Sequence, residues 1–164
     1  MRVLDILHGT IVDGPGLRTS IYFAGCKHHC PGCHNPESWD FSGGIERSVD
    51  DIFSEIEKNG FNVTLSGGDP LYQDIDELTA LAKKIKDAGL DLWVYTGFTI
   101  EEVFELKIYD KFLQYVDVVV DGPFEIKNRD TSLMFRGSSN QRILKLLHDG
   151  NGDKISYGIL KIEN

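Results

Sequence analysis

The sequence has no apolar run long enough to cross a membrane. Nowhere in its 164 residues do 18 consecutive apolar residues occur, whereas a membrane-spanning helix needs about 20. The opening stretch, MRVLDILHGT, also lacks the long apolar segment of a secretory signal peptide. We therefore expect a cytoplasmic protein that does not associate with a membrane.

Basic residues are scarce. The chain has 17 Lys and Arg residues against 26 Asp and Glu residues, a formal net charge of -9 and a pI near 4.9. Sequence-independent binding to nucleic acid needs a basic surface that displaces counterions from phosphates. This composition therefore favours a protein or a small molecule as the partner.

The remaining composition is that of an ordinary globular protein. Hydrophobic residues make up 41% of the chain and charged residues 26%, both usual for soluble domains. A chain of this length buries about 70% of its unfolded surface. Because we find no internal repeat and no linker, we expect one domain over residues 1–164.

Cysteine is also rare, and all three cysteines lie in residues 26–33 (CKHHCPGC). An odd number of cysteines in a reducing compartment disfavours a disulfide framework and favours metal or thiol chemistry. Thiolate ligands suit zinc or an iron-sulfur cluster. A structural zinc site takes four protein ligands, so Cys26, Cys30 and Cys33 alone leave one metal position open.

Apolar patterning predicts strands that alternate with helices. Strands are predicted at residues 3–12 (or an extended lead-in there), 17–24, 62–66, 92–95 and 116–120. Helices are predicted at residues 49–58, at residues 75–88 and after Thr99, with Ser48, Asp74 and Thr99 as N-caps. This alternation favours an α/β fold with parallel pairing.

The last third of the sequence is patterned less clearly. Residues 125–139 have the composition of a polar loop, and residues 141–148 are predicted to be helical. Residues 155–162 alternate weakly, which is compatible with either an edge strand or a disordered end, and the tail from residue 150 is a candidate flexible segment.

Four predicted strands end in small or acidic residues. These ends are Gly25-Cys26, residues 66–70 (SGGDP), residues 95–97 (YTG) and residues 121–123 (DGP). The carboxyl ends of parallel strands share one edge of a sheet, so the four segments are expected to converge on one pocket. Taken singly, Gly67-Gly68 is equally compatible with a tight turn and Asp69 with a helix N-cap.

The CxxxCxxC spacing, followed by a GG-acid-Pro turn after the next strand, resembles the radical S-adenosylmethionine (SAM) enzymes. In that superfamily three cysteines hold a [4Fe-4S] cluster, and the open iron is chelated by the amino and carboxylate groups of SAM. The resemblance implies both cofactors here. It also implies a single-domain α/β fold built as a partial, incomplete βα barrel with a mostly parallel sheet.

Further motifs narrow the resemblance to the glycyl-radical-enzyme activases. They lie at residues 13–18 (DGPGLR), 30–35 (CPGCHN), 65–71 (LSGGDPL), 93–97 (WVYTG), 120–124 (VDGPF) and 136–141 (RGSSNQ). The motifs after residue 90 imply an anaerobic ribonucleoside-triphosphate reductase as the protein substrate. Activases of this group also need an electron donor such as flavodoxin or ferredoxin.

The resemblance implies a role for each matching position. Cys26, Cys30 and Cys33 would ligate the cluster. Gly67 and Gly68 would meet the methionine amino group of SAM. The other implied cofactor contacts are Gly32, Cys33 and His34 beside the adenine, and Thr96 and Asp121 at the next strand ends. Two positions depart from the pattern, because Gly32 stands where an aromatic residue is common and His34 where a tyrosine is common.

Two roles are open for Asp13 and Arg18. They either face the glycine loop of the protein substrate or stabilise their own turn. The group of Arg136, Ser138, Ser139 and Asn140 either binds part of the cofactor or braces a loop.

Other functions remain open at this point. One is the activation of a different glycyl radical enzyme, and another is small-molecule radical chemistry of the kind performed by deazapurine synthases. A third, from a different class, is a zinc-binding interaction module that uses the three cysteines with His28, His29 or His34. We expect His28 and His29 to be solvated loop residues and not metal ligands.

Overall fold

One mixed sheet organises the computed structural model, which describes residues 1–150 and 154–162. Among these residues it contains eight strands in the spatial order β3-β1-β2-β4-β5-β6-β7-β8. The strands are β1 (Arg2–Thr10), β2 (Arg18–Phe23), β3 (Ile45–Glu46), β4 (Asn62–Gly67), β5 (Leu92–Tyr95), β6 (Val118–Asp121), β7 (Arg142–His148) and β8 (Ile155–Ile159).

Three of the four helices in the described residues begin where their capping residues predict. The helices are α1 (Val49–Glu57), α2 (Ile75–Asp87), α3 (Ile100–Leu106) and α4 (Asp110–Leu113). The short helix α4, which has no side-chain cap, was not predicted. Ser48 and Asp74 each accept a backbone N–H from the third residue of the following helix, and Thr99 forms a full capping box with Glu102. Within the described ranges, no helix has the length and hydropathy needed to span a bilayer.

The α/β prediction is confirmed, but the expectation of a mostly parallel sheet is wrong. Strands β2, β4, β5 and β6 pair in parallel as predicted. Antiparallel pairing joins β1 to β2 and β3 at one side, and β7 to β6 and β8 at the other. The sheet is therefore mixed and open, with β3 and β8 as its two edges.

The predicted helix over residues 141–148 is also wrong, because these residues form β7. The strand pairs with β6 on one side and with β8 on the other. Its apolar residues serve both faces of the sheet, since Ile143 packs in one buried cluster and Leu144 and Leu146 in another. A short apolar run buried on two faces has no period that separates it from a helix.

Of the two readings for residues 155–162, the edge strand is confirmed by β8. The proposed flexible tail falls partly on residues 151–153 and 163–164, which lie outside the described residues.

The two faces of the sheet differ in chemistry. One face packs against the helices through the main apolar cluster, to which the sheet contributes Ile21, Phe23, Val63, Leu65, Val94 and Val119. The opposite face carries polar and aromatic side chains, which are Arg18, Ser20, Tyr22, Thr64, Ser66, Trp93 and Tyr95. Because side chains alternate along a strand, the same strands supply the apolar core on one face and polar side chains beside the site on the other.

Candidate metal centre and cofactor pocket

A cavity of about 320 Å³ opens at the carboxyl ends of the parallel strands, within the range of roughly 300–1,000 Å³ common for small-molecule sites. Its lining includes all three cysteines and residues from the ends of β4, β5 and β6. The prediction that the four strand ends converge on one pocket is confirmed. The lining residues include Asp13, Tyr22, Cys26, Cys30, Cys33, His34, Ser66, Gly67, Gly68, Tyr95, Thr96, Gly97, Gly122 and Phe124.

Gly67 and Gly68 bring the end of β4 against the start of the cysteine loop. Gly68 N donates to Phe23 O at 2.8 Å, and Asp69 N donates to Gly25 O at 3.0 Å. A Cβ on Gly67 would lie 2.3 Å from Phe23 N, and one on Gly68 would lie 2.6 Å from Gly25 O. The absence of side chains is therefore a packing requirement, and it also leaves bare backbone facing the cavity.

The three cysteines are free thiols that differ in exposure. Cys26 is buried, while Cys30 and Cys33 are partly exposed and are joined by a turn in which Cys33 N donates to Cys30 O at 3.0 Å. Burial raises the pKa of the Cys26 thiol to about 11, partly offset by backbone N–H groups of His28 and His29 that approach its sulfur. Burial also raises the pKa of Cys30. Metal binding would have to displace these protons.

The donor set of the cavity fits an iron-sulfur cluster. Cys26, Cys30 and Cys33 line the same cavity, and thiolates are the protein ligands of [4Fe-4S] clusters. Within residues 1–150 and 154–162, no three His, Cys, Asp or Glu side chains are grouped as the ligands of one metal ion would be. Three cysteines would leave one iron of such a cluster without a protein ligand.

His28 is not the solvated loop residue that we predicted. Its imidazole Nε2 lies 2.7 Å from Asp69 Oδ2, and its side chain is 16% exposed. The ring packs edge-on against Phe98, with centroids 4.6 Å apart, and also contacts Tyr72. The prediction holds better for His29, which is exposed and stacks on Trp39 at a centroid distance of 4.5 Å.

Asp69 confirms its predicted capping role and has a second role that the sequence did not indicate. Its Oδ1 accepts Leu71 N at 2.9 Å, which caps the 3-10 turn Pro70–Tyr72. Its Oδ2 also accepts the Thr96 hydroxyl and Gly97 N, each at 2.9 Å. No signal links His28 to Asp69 in the sequence, because 41 positions separate them.

The structure assembles five of the seven positions expected to contact the cofactor. Cys33, His34, Gly67, Gly68 and Thr96 line the cavity, whereas Gly32 and Asp121 do not. Gly32 packs against the Ile126 side chain, whose Cδ1 lies 2.7 Å from where a Cβ would stand.

Asp121 is occupied by structural contacts. It is 1% exposed, and its carboxylate accepts Ile100 N at 2.8 Å and two N–H groups of Arg142 at 2.6 and 3.1 Å. Arg142 also donates to both carboxylate oxygens of Glu101, which accepts the Tyr157 hydroxyl as well. This network joins the start of α3 to the end of β6, the start of β7 and the middle of β8.

Acidification is expected to weaken this network through Glu101. Hydrogen bonds from Arg142 and Tyr157 lower the pKa of Glu101 from its ordinary 4.5 to about 2. The folded-state pKa is depressed, so the stabilisation is complete above pH 4.5 and is lost as the pH falls from there towards 2. The side chain is 54% exposed, so the effect will be small. The difference in urea stability between Glu101→Gln and wild type should be largest at pH 7 and shrink as the pH falls below 4.5 towards 2. A difference that stays constant over this range would contradict the assignment, and Glu105→Gln is the control.

Arg18 is structural and does not face a partner. Its side chain is fully buried and donates to Thr64 Oγ1 at 2.8 Å, Val63 O at 2.9 Å and Asp91 Oδ2 at 2.9 Å. The guanidinium also lies 5.4 Å from the centre of the Trp93 ring. Of the two readings, the one that assigns Arg18 to the turn and the sheet is correct.

Replacing Arg18 by methionine is expected to lower the free energy of unfolding by about 3 kcal/mol, because several buried acceptors lose their charged donor. Chemical denaturation of the full chain measures the loss. Arg47→Met is the matched control, since Arg47 forms surface ion pairs with Asp51 and Glu55 and should matter much less. Equal losses in the two variants would contradict the structural role of Arg18.

Asp13, by contrast, lines the cavity. Its carboxylate accepts the Tyr22 hydroxyl and the Ser20 hydroxyl, the latter at 3.1 Å, while its carbonyl accepts Thr64 Oγ1 at 2.8 Å. Burial and the hydrogen bond to Asp13 raise the pKa of Tyr22. Tyr22 was missed as a cavity residue, although alternation along β2 places it on the same face as Ser20.

Arg136 braces its own loop. Its guanidinium donates to Gln141 O at 2.6 Å and to Ser139 O at 3.3 Å. Gln141 completes the brace by accepting the backbone N–H groups of Gly137 and Ser138, at 2.9 and 3.1 Å. Gly137 and Gln141 line the cavity, so this loop forms part of its wall.

Comparison with known proteins agrees with this site. The sequence model of a family described as "4Fe-4S single cluster domain" matches residues 12–144. An anaerobic ribonucleoside-triphosphate reductase-activating protein from Pasteurella multocida is 37% identical over 144 residues, which cover 82% of this chain and 91% of that protein. The proteins of the same name from Enterobacteria phage T4 and Escherichia coli K12 are 37% and 35% identical, over 80% of this chain and 86% and 90% of their own length.

The fold, the thiol-lined cavity and the family match define the class as iron-sulfur proteins with a 4Fe-4S single cluster domain. Within that class, the chain belongs to the family of anaerobic ribonucleoside-triphosphate reductase-activating proteins.

Proposed function

We propose that this protein is a radical SAM enzyme that installs a glycyl radical in an anaerobic ribonucleoside-triphosphate reductase. When bound, the reduced [4Fe-4S] cluster would supply the electron that splits the sulfonium bond of SAM into methionine and a 5′-deoxyadenosyl radical, which takes a hydrogen atom from the glycine and leaves as 5′-deoxyadenosine. The electron would come from a donor such as flavodoxin or ferredoxin, and the reaction would take place in the cytoplasm.

The proposal rests on one observation: the three cysteine thiols and the glycine backbone at the end of β4 line the same cavity. Cys26, Cys30 and Cys33 fit a cluster, and Gly67 and Gly68 face the same space without side chains. Three cysteine ligands leave one iron accessible to a small molecule. The backbone at the end of β4 would hold that molecule beside the open iron.

The other residues of the cavity would orient the cofactor. His34 is exposed, and its ring centroid lies 5.1 Å from that of Phe124 with the ring planes tilted by 57°, so one of these rings would offer its face to a flat base. Thr96 is nearly buried, and its hydroxyl donates to Asp69, so it shapes the floor and does not offer a free donor. Asp13 and Tyr22 bound the opposite side.

A glycine within a protein chain could reach this site, because the cavity is open to solvent. The relatives are named for activating the reductase, which favours this partner over another glycyl radical enzyme or a small-molecule substrate.

Anaerobic reconstitution tests the proposed chemistry. With iron and sulfide the full chain should turn brown, and after reduction it should convert SAM into methionine and 5′-deoxyadenosine in equal amounts. A colourless protein that retains one tightly bound zinc ion would refute the proposal and establish the zinc-binding module. A brown protein that leaves SAM intact would refute the radical reaction alone.

A further inference from the structure

We propose that His28 and Asp69 form a clamp that locks the cysteine loop onto the sheet in the conformation that receives the cluster. The idea rests on the proposed function in so far as it concerns the cluster, but the clamp itself is a property of the protein. In this role His28 is a positioning residue, because it acts through the cysteines on either side of it.

The anchor of the clamp is unusually well fixed. Asp69 is fully buried, and its carboxylate accepts four donors, from His28, Leu71, Thr96 and Gly97. These donors belong to the cysteine loop, to the turn after β4 and to the end of β5. Since the carboxylate accepts only, His28 must donate its Nε2–H, and this bond ties the loop to both strand ends.

Packing restricts the imidazole to one place. Phe98 and Tyr72 flank the ring at centroid distances of 4.6 and 5.4 Å. The ring also covers Gly97 so closely that a Cβ there would lie 2.5 Å from His28 Cδ2. Gly97, just after β5, must therefore lack a side chain so that the His28 ring can pack on it. This contact explains the glycine of the YTG motif, which the sequence alone did not.

Fixing His28 also fixes the surroundings of a cluster ligand. The backbone N–H groups of His28 and His29 approach the Cys26 sulfur. N–H groups directed at a thiolate stabilise its charge, and such bonds tune iron-sulfur centres. By holding His28 between Cys26 and Cys30, the clamp fixes the path of the loop that carries both cysteines.

The same contacts indicate what Asp69 does not do. Asp69 is fully buried and is not among the residues that line the cavity, so its carboxylate does not face a bound cofactor while the clamp is closed. We therefore assign the acid of the GG-acid-Pro motif to positioning of the cysteine loop.

Four variants of the full chain test the clamp. His28→Phe keeps a packed ring without the donor, and His28→Gln keeps a donor near the position of Nε2. Gly97→Ala displaces the imidazole, because the added Cβ would lie 2.5 Å from His28 Cδ2, and it changes neither His28 nor Asp69. His29→Asn is the matched control, because His29 has a positive φ of 48° that asparagine tolerates and does not bond to Asp69.

Two readouts are needed. In the cluster-free protein, the alkylation rates of Cys30 and Cys33 report opening of the loop, and in the reconstituted protein the rate of iron release to a chelator reports cluster retention. We expect both rates to rise about tenfold or more in His28→Phe and Gly97→Ala, equivalent to about 1.4 kcal/mol, while His28→Gln recovers most of the loss and His29→Asn matches wild type.

The outcomes separate the clamp from the proposed function. Wild-type alkylation and iron-release rates in His28→Phe would overturn the clamp, as would equal effects of the His28→Phe and His29→Asn changes. Failure of the wild-type protein to bind a cluster would refute the proposed function, and the alkylation rates would still decide whether the clamp exists. Thermal unfolding of each variant shows whether a change is confined to the loop.

Discussion

Replacing Cys30 by alanine is expected to abolish cluster binding and leave the fold intact. Cys30 lies on a partly exposed loop beyond the end of β2 and makes no contribution to the two buried apolar clusters. Substitutions at such positions usually change stability by about 0.5 kcal/mol or less. Loss of one of three thiolates, by contrast, removes a ligand that the cluster cannot replace, since the chain has no fourth cysteine.

Iron and sulfide analysis, absorption near the iron-sulfur bands and circular dichroism together measure this result. Bound iron and sulfide should fall to background while the dichroism spectrum matches wild type. His29→Asn serves again as the control, because it alters the same loop without touching a thiol. Normal SAM cleavage by Cys30→Ala would show that the ligand assignment is wrong.

The second large effect is expected at Gly67, where alanine should destabilise the protein by about 3 kcal/mol or more. The residue has a φ of 103°, a region that costs a residue with a Cβ about 1–3 kcal/mol. The added Cβ would also lie 2.3 Å from Phe23 N and 2.5 Å from Phe23 O. Because both atoms belong to the β2 backbone, relief requires β2 and β4 to separate, and such overpacking costs a further 1–3 kcal/mol or so.

Gly60 offers a matched control for the conformational cost of a positive φ. It also has a positive φ, of 63°, but nothing lies within 4 Å of an added Cβ. Gly60→Ala should therefore show the conformational cost alone, about 1 kcal/mol. Urea unfolding of both variants separates the two contributions. Similar losses at Gly60 and Gly67 would contradict the close approach of β4 to β2.

The central part of the fold followed from local patterns. Side-chain caps at Ser48, Asp74 and Thr99 marked the helix starts, and apolar runs marked the parallel strands. Parallel pairing requires the strand ends to meet at one edge of the sheet, and this requirement predicts the position of the pocket. These predictions succeeded because each depends on neighbours within a few residues, or on a topology with few alternatives.

The antiparallel additions were not predictable in the same way. Residues 142–148 become a strand because β6 offers them a free edge, and that edge exists only in the folded sheet. When a strand is buried on both faces of a sheet, its apolar residues do not alternate with polar ones, so its sequence cannot be distinguished from that of a buried helix. The prediction of a helix there failed because tertiary pairing outweighed the local pattern.

Long-range polar contacts were equally hidden. Asp121 looked like a pocket carboxylate from its place after β6, but Arg142, 21 residues later, engages it. His28 was predicted to be a solvated loop residue, but in the fold it bonds to Asp69 and packs against two aromatic rings. Sequence position predicts which strand end a residue follows, whereas its partner depends on side chains that only the fold brings near.

The most direct test of the proposed function is electron paramagnetic resonance of the reductase. The reconstituted protein, SAM, a reductant and an anaerobic ribonucleoside-triphosphate reductase should be mixed without oxygen. We predict a glycyl radical signal on the reductase that requires all four components and disappears when Cys30→Ala replaces the wild-type protein. A complete mixture that cleaves SAM but leaves the reductase without a glycyl radical would contradict the account.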